Sequence, residues 1–212
     1  MWRGVTAARS TSTTSRLRWT SRSMLSTGTS RRHCRTDGRI EGTTGMTTSS
    51  ADVTTTITAM LHAVDDRDWD TARALLAREV TVDYSSLWGG DAATMPSGTL
   101  VESWQGLLPG FDVTQHLLGP VVLAEADEQH ARCTANVRAY HHLSDGDTPR
   151  TWTVAGRYQM NLVRDAHGWK VSGITLRLAY EEGDRSVVEI ARKRLADGAA
   201  FGGFPRKSRP GT

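Results

Sequence analysis

The stretch ARCTANVRAYHHL, residues 131–143, alternates small apolar and polar side chains along its whole length. A period of two is typical of a β-strand with one buried face and one solvated face. The odd-numbered positions hold Cys133, Ala135, Val137 and Ala139, and His141 continues that row. We therefore predict that His141 points into the protein and His142 points out, because a slip of one residue would turn every side chain over.

Further strand patterns surround this stretch. They cover residues 79–85, 114–124, 151–164 and 169–181. Short polar turns join the last strands, and short connections between consecutive strands predict an antiparallel meander.

Helical patterns precede the strands, and one more follows them. Apolar residues recur at helical spacing between Asp52 and Val64, which predicts an amphipathic helix with Asp52 as its N-cap. The other predicted helices are a short one capped by Asp70, a third that opens with the capping box at residues 99–102, and a C-terminal one over residues 184–198. Residues 88–97 are predicted to be a loop.

Helices followed by a run of strands are typical of an α+β domain. We predict a cone-shaped fold in which a curved mixed or antiparallel sheet packs on three helices and a C-terminal helix. The mouth of such a cone is a natural ligand cavity. The outer face of an open curved sheet needs a cover, so we also expect a homo-oligomer.

The N-terminal residues 1–45 differ from the rest in charge. They hold nine arginines against two acidic residues, a net charge of +7, whereas the remaining residues carry 17 basic and 21 acidic side chains, a net charge of −4. Three interpretations stay open: an organelle transit peptide, a basic tail, or sequence upstream of a true start at Met46, which we favour. The predicted domain is then residues 46–198, with a flexible basic tail over 199–212.

This charge distribution argues against nucleic-acid binding, since the mildly acidic folded part lacks the basic stripe that such binding needs. No apolar run approaches the roughly 20 residues that cross a bilayer, so we expect no membrane partner. The two cysteines, Cys34 and Cys133, form no disulfide framework, and a reducing cytoplasmic location is the default.

Three residues are candidates for acid–base chemistry in one pocket. His116 lies in Thr114-Gln115-His116 at the start of a predicted strand, His141 ends the row described above, and Asp65 ends the first predicted helix. Imidazole exchanges protons near neutral pH. Asp65 has a further reason to need a partner, because the helix dipole disfavours negative charge at a C-terminus. The structural alternatives are core histidines bonded to backbone carbonyls and an aspartate that only ends its helix.

Other polar residues could line the same pocket. Tyr84 lies on the apolar face of its strand and could be a core residue with a hydroxyl in reach of any acceptor. Asn161 and Gln159 share one face of a later strand, and either face of that strand could line the cavity.

From Asp52 to Leu195 the chain resembles the SnoaL-like group of the NTF2-like superfamily, and within it the scytalone dehydratases. The resemblance is carried, in order, by residues 65–70, Val82-Asp83-Tyr84, Met95-Pro96, Thr114-Gln115-His116, Arg138 to His141, and Asn161-Leu162. It implies a cone-shaped fold and a dimer or trimer.

The resemblance also implies roles for single residues. His116 and His141 match the pocket histidines, and Asp65 matches the aspartate that orients the second of them, His141. Tyr84 matches a tyrosine that polarises the substrate carbonyl through water, and Asn161 matches an asparagine that contacts a substrate hydroxyl. The chain departs from the pattern at two further positions that we expect to contact substrate. Val64 replaces a second tyrosine, and Gln159 replaces a serine.

We therefore predict a dehydratase, or an isomerase or cyclase, that abstracts a proton next to a carbonyl without a cofactor or a metal. Its substrate would be a small polar-aromatic or polyketide-like molecule with carbonyl and hydroxyl groups. One alternative is a non-catalytic binding module of the same fold. Another is a metal site, since two histidines and one aspartate can form a facial triad.

Overall fold

A computed structural model describes residues 50–146 and 148–199. The predicted N-terminal extension, residues 1–45, lies outside the described residues, as does almost all of the predicted tail. Those two predictions therefore stay predictions.

The described residues form five α-helices, seven strands and one turn of 3-10 helix. The helices are α1 (Ser50–Asp65), α2 (Trp69–Ala74), α3 (Ser85–Trp88), α4 (Ser97–Gln105) and α5 (Val187–Ala196), and the 3-10 turn is Leu108–Gly110. The strands are β1 (Leu76–Asp83), β2 (Ala93–Pro96), β3 (Val113–Leu118), β4 (Val122–Ala126), β5 (His130–Asp145), β6 (Thr148–Asp165) and β7 (Gly168–Gly183).

All seven strands belong to one sheet. The order is β2-β1-β7-β6-β5-β3, and β4 pairs with β5 beside β3. Strand β1 runs parallel to β7, and every other pairing is antiparallel. The predicted α+β class with a curved mixed sheet is confirmed, and β5, β6 and β7 form the predicted meander.

The core lies between the inner face of this sheet and the helices. The apolar stripe of α1 is buried, as its spacing predicts, and consists of Val53, Ile57, Met60, Leu61 and Val64. The alternation along β5 is also confirmed, because Cys133, Ala135, Val137, Ala139 and His141 are all buried whereas His142 is partly exposed. The period of each pattern thus identifies the buried side correctly.

Two predicted helix caps are wrong. Asp52 lies inside α1, which already includes Ser50. Helix α2 is capped by Asp68, whose side chain accepts a hydrogen bond from the Thr71 amide at 3.3 Å, and Asp70 lies in its first turn. The acidic run offers several adjacent candidates for this cap. The turn of the chain at Arg67 places Asp68, and not Asp70, at the start of α2.

Three other predicted boundaries also differ. Helix α4 begins at Ser97 after Pro96, without a side-chain cap, so residues 99–102 form no capping box. The predicted loop 88–97 contains β2, which pairs with β1. The predicted strand 114–124 is broken at Gly119-Pro120, because proline has no N–H for the ladder.

Helix α5 closes the fold against the start of β3. Gly110 packs so closely on the backbone of Ala191 that any side chain at position 110 would overlap the Ala191 carbonyl. Arg194 donates to Asp112 Oδ1 at 2.8 Å and to the carbonyl of Ser144. The C-terminal helix therefore holds the entry to the strand that carries His116.

Candidate active site

A cavity of about 110 Å³ lies between α1, α3, α4 and the inner face of β5 to β7. Its lining is mainly aliphatic and aromatic, and the aromatic members are Tyr84, Trp88, Trp104, Trp152 and Tyr158. His116 and His141 both line it. An apolar cavity with a few convergent polar groups is the usual form of a small-molecule site.

Asp65 is the last residue of α1 and is almost fully buried. Its Oδ2 accepts the backbone N–H of His116 at 2.7 Å, and its Oδ1 accepts the hydroxyl of Thr114 at 3.0 Å. The same Oδ1 lies 2.8 Å from Nδ1 of His116. Burial pushes the pKa of Asp65 upward, but the hydrogen bonds and charge of His116 outweigh it and hold the pKa below its usual value.

His116 is oriented by this carboxylate. An ionised carboxylate only accepts hydrogen bonds, so Nδ1 of His116 carries a proton and the carboxylate fixes the orientation of the ring. The ring lies in the cavity wall, and its side chain is 11 % exposed. A histidine held by a carboxylate through Nδ1, with Nε2 available, is the arrangement of a general base.

Arg67 supports the Asp65–His116 pair through hydrogen bonds to neighbouring groups. Its guanidinium donates to the hydroxyl of Thr114 at 2.7 Å, to the carbonyl of Leu108 at 2.7 Å and to the carbonyl of Val64 at 2.9 Å. Thr114 accepts from Arg67 and donates to Asp65, so the three side chains form one chain of hydrogen bonds. Burial lowers the pKa of Arg67 to about 10, which leaves it protonated at neutral pH.

The backbone at Arg67 is unusual. Its φ of 60° is the only left-handed value at a non-glycine position within residues 50–146 and 148–199. Such a conformation costs about 1–3 kcal/mol and persists where surrounding contacts fix it. Here it turns the chain directly after α1 and brings the guanidinium back under Asp65.

His141 lies in a different environment, on β5. Its ring lies between Phe111 and Trp152, with centroid distances of 5.1 and 4.7 Å, and its Nδ1 lies 3.2 Å from the carbonyl oxygen of Trp152. Burial, and next the charge of His116, lower the pKa of His141 to about 3. His141 is therefore neutral at pH 7 and donates its Nδ1 proton to that carbonyl.

The predicted pairing of Asp65 with His141 is wrong, because Asp65 binds His116. Strand β3 lies at the edge of the sheet beside β5, where Thr114 is paired with His141. The C-terminus of α1 meets β3, so the carboxylate of Asp65 reaches the residues of that strand first. The two histidine rings are 6.4 Å apart and nearly perpendicular.

The other predicted site residues divide into two groups. Tyr84 and Val64 line the cavity. Burial raises the pKa of Tyr84 to about 12 despite a hydrogen bond with Trp104, so its hydroxyl remains a neutral donor. Gln159 and Asn161 are exposed on the outer face of β6 and do not line the cavity, which corrects their predicted contact with substrate.

The inner face of β6 supplies residues that the sequence interpretation missed. Tyr158 and Met160 are buried and line the cavity, so they do not form the outer surface of the sheet. Burial raises the pKa of Tyr158 well above its usual value. The alternation along β6 contained this information, and the buried neighbours on β5 and β7 now select the face. Arg67 and Thr114 gave no comparable signal in the sequence.

Within the two described ranges, no group of three or more His, Cys, Asp or Glu side chains is placed to hold a metal ion. In the same part of the chain, no helix has the length and apolar character to cross a membrane.

A family model for the SnoaL-like domain matches residues 46–175. The chain belongs to the SnoaL-like domain family. Among curated proteins, none matches the sequence. The fold of this SnoaL-like domain is that of the NTF2-like superfamily.

Solved structures share this fold. The protein Kfla4162 from Kribbella flavida is 27% identical, with a TM-score of 0.60 over 67% of this chain and 95% of that one. A candidate scytalone dehydratase from Novosphingobium aromaticivorans is 16% identical, with a TM-score of 0.54 over 64% and 87%. The hexachlorocyclohexane dehydrochlorinase LinA-type3 from Novosphingobium barchaimii is also 16% identical, with a TM-score of 0.50 over 64% and 89%. At these identities the last two show a shared fold alone.

Proposed function

We propose that this SnoaL-like domain is a cofactor-independent dehydratase, or an isomerase or cyclase, in which His116 removes a proton next to a carbonyl. The observation that carries the proposal is the hydrogen bond of 2.8 Å between buried Asp65 and His116 in the wall of an apolar cavity. The substrate would be a small molecule with carbonyl and hydroxyl groups.

The proton transfer follows from the geometry. Nε2 of His116 takes the proton from the carbon next to the carbonyl, and the imidazolium that forms is stabilised by the Asp65 carboxylate. The electron pair of the broken C–H bond moves toward the carbonyl oxygen. Tyr84 donates a hydrogen bond to this developing enolate, and a donor in an apolar site is worth more than in water.

The second step returns the proton. In a dehydration, the imidazolium gives the proton to a hydroxyl on the next carbon, and that hydroxyl leaves as water while the double bond forms. In an isomerisation, the proton goes back to a different carbon. Neutral His141 uses its Nδ1–H in a hydrogen bond to the carbonyl of Trp152. Its Nε2 is therefore an acceptor for a substrate hydroxyl.

The names of two structural neighbours support an elimination. One is a dehydrochlorinase and another a candidate scytalone dehydratase, names that denote loss of hydrogen chloride and of water. We carry this reaction type to the present chain as part of the proposal, together with a homo-oligomeric state (dimer or trimer) and a cytoplasmic location. Exposed Leu117, Val122 and Tyr180 support the oligomer, and sedimentation velocity measures it directly.

The test does not need the natural substrate. Cyclohexanone in D2O exchanges its α-protons when a base abstracts them, and NMR follows the loss of the proton signal. We expect the wild-type protein to accelerate this exchange and His116→Gln to lose about 10²- to 10⁴-fold of the acceleration. His142→Gln, on the outer face of β5, is the matched control and should exchange like the wild type.

If cyclohexanone binds but its exchange is not accelerated by the wild-type protein, the enzyme proposal fails. The domain would then be a non-catalytic small-molecule-binding module.

A further inference from the structure

The cavity lining has no permanently charged side chain. Within the described ranges, none of the residues that line it is Asp, Glu, Lys or Arg. Its titratable members are His116, His141, Tyr84 and Tyr158. Moving an isolated charge out of water into such surroundings is costly unless a partner neutralises it.

Three of these four groups are held neutral at pH 7. Burial lowers the pKa of His141 to about 3, and burial raises the pKa of Tyr84 to about 12. Burial also raises the pKa of Tyr158 well above its usual value. These three side chains offer hydrogen bonds but no counter-ion.

A substrate anion would meet no unpaired charge at His116 either, because that ring is bonded to the Asp65 carboxylate. The guanidinium of Arg67 is directed at Thr114 and at the carbonyls of Val64 and Leu108. The nearest full charge behind His116 is the carboxylate of Asp65, which repels an anion. A carboxylate or phosphate on the substrate would therefore lose its hydration without compensation.

A substrate cation is disfavoured at the opposite wall. The guanidinium of Arg185 lies over the ring of Trp88 at 5.0 Å and over the ring of Trp152 at 5.9 Å. These two rings already contact the Arg185 cation, and its positive charge repels a second cation. Arg185 is fixed there by Glu181 at 2.9 Å and by the carbonyl of Leu87 at 2.8 Å.

The size of the cavity sets the other limit. At about 110 Å³ it is comparable to the apolar cavities of about 150 Å³ that hold one benzene molecule. His116 and Leu61 also border an outer groove between α1 and residues 117–121. A functional group attached to the ring of a bound molecule can therefore lie at the His116 end of the cavity.

We infer that the site takes an uncharged compound with a single compact ring, whose carbonyl oxygen accepts a hydrogen bond from Tyr84 and whose adjacent C–H group lies at His116. This inference rests on the proposed function, because it names the substrate class of the same cavity. Anionic and cationic analogues of the same shape should be rejected.

Three compounds of nearly equal shape and different charge test the inference: benzamide, benzoate and benzamidinium. Each is titrated at pH 7.5 into the full chain, with Tm and the ring NMR signals of His116 and His141 as readouts. We expect benzamide to raise Tm by a few degrees and to shift both histidine signals. The two charged compounds should bind at least about tenfold more weakly.

Two variants connect these readouts to the cavity. Ala139→Phe and, separately, Met160→Phe place a larger side chain in the lining, and either folded variant should lose benzamide binding. Benzamide binding by the wild type without acceleration of cyclohexanone exchange would leave the ligand class standing while the enzyme proposal fails, so the two failures remain distinguishable.

The opposite outcomes overturn the inference. Benzoate or benzamidinium binding as tightly as benzamide would show that the cavity accepts charge. Tighter binding of 2-naphthamide than of benzamide would overturn the single ring, and failure of benzamide to bind at all would overturn the class.

Discussion

The two histidines of the cavity have the same side chain and opposite surroundings. His116 is bonded to a carboxylate that accepts a hydrogen bond from Thr114, which in turn accepts one from Arg67. His141 lies between two aromatic rings and is bonded to a backbone carbonyl. A carboxylate stabilises imidazolium, but an apolar site with one carbonyl does not. Burial lowers the pKa of His141, whereas the carboxylate beside His116 can neutralise an imidazolium, and on this difference we propose His116 as the base.

The largest effect should come from Asp65→Asn. An amide can bind either tautomer of His116 and does not neutralise imidazolium, so α-proton exchange of cyclohexanone should fall by about 10²- to 10⁴-fold, no more than in His116→Gln. His141→Gln should cost about tenfold, since that residue transfers no proton in the proposed mechanism. Rates measured by NMR for both variants test the assignment, and the reverse order would move the base to His141.

Loss of the Thr114 hydroxyl that is bonded to Asp65 should reduce exchange less than loss of the carboxylate itself. Thr114→Val keeps the shape but removes the hydroxyl between Arg67 and Asp65, and we expect exchange to fall about tenfold and the free energy of unfolding to fall by about 1–3 kcal/mol. Thr114→Ser retains the hydroxyl and is the matched control. Equal behaviour of the two variants, in exchange and in urea unfolding, would contradict a role for this hydrogen bond.

The neutral histidine makes stability depend on pH. The pKa of His141 is about 3 in the folded protein and 6.5 in the unfolded chain, so the unfolded state binds the extra proton. Its contribution to stability is complete above pH 6.5 and is lost as the pH falls toward 3. Between pH 7 and pH 5 we expect a loss of about 2 kcal/mol, measured by urea unfolding.

His141→Phe should remove this part of the pH dependence, because the ring stays between Phe111 and Trp152 without a titrating group. The lowered pKa of Asp65 acts in the same direction at lower pH and remains in the variant. An unchanged slope between pH 7 and pH 5 in His141→Phe would show that another group titrates there.

The smallest effects should occur on the outer face of β6. Gln159→Ala and Asn161→Ala lie away from the cavity, so each should change benzamide binding and cyclohexanone exchange less than about twofold and stability within about 0.5 kcal/mol. Met160→Ala on the inner face should cost about 2–5 kcal/mol. Loss of benzamide binding in Asn161→Ala would return that residue to the site.

Much of the fold could be predicted because burial follows a simple period. The alternation of residues 131–143 identified the buried face of β5, and the helical spacing of α1 identified its buried stripe. The alternation along β6 contained the same information, because the even-numbered positions from 152 to 162 are glycine, apolar or aromatic, but the sequence interpretation left the face of this strand open. Strand β2 was missed because it is four residues long and follows Gly89-Gly90.

Part of the composition of the candidate site was predicted, and its pairing was not. Asp65, His116, His141 and Tyr84 do gather around one cavity. Which histidine Asp65 binds depends on how β3 fits between α1 and β5, a contact between segments about fifty residues apart. Neither local spacing nor residue type encodes it, and the left-handed turn at Arg67 likewise had no local signal.

The contacts between α5 and the start of β3 limit where the chain can be shortened. The match to the SnoaL-like family ends at residue 175, but Arg194 and the backbone of Ala191 hold Asp112 and Gly110 at the entry to β3. A protein engineer who cut the chain at the family boundary would keep Asp65 and His116. The shortened chain would lose the contacts of α5 that align β3. The useful unit for expression or fusion extends at least through α5.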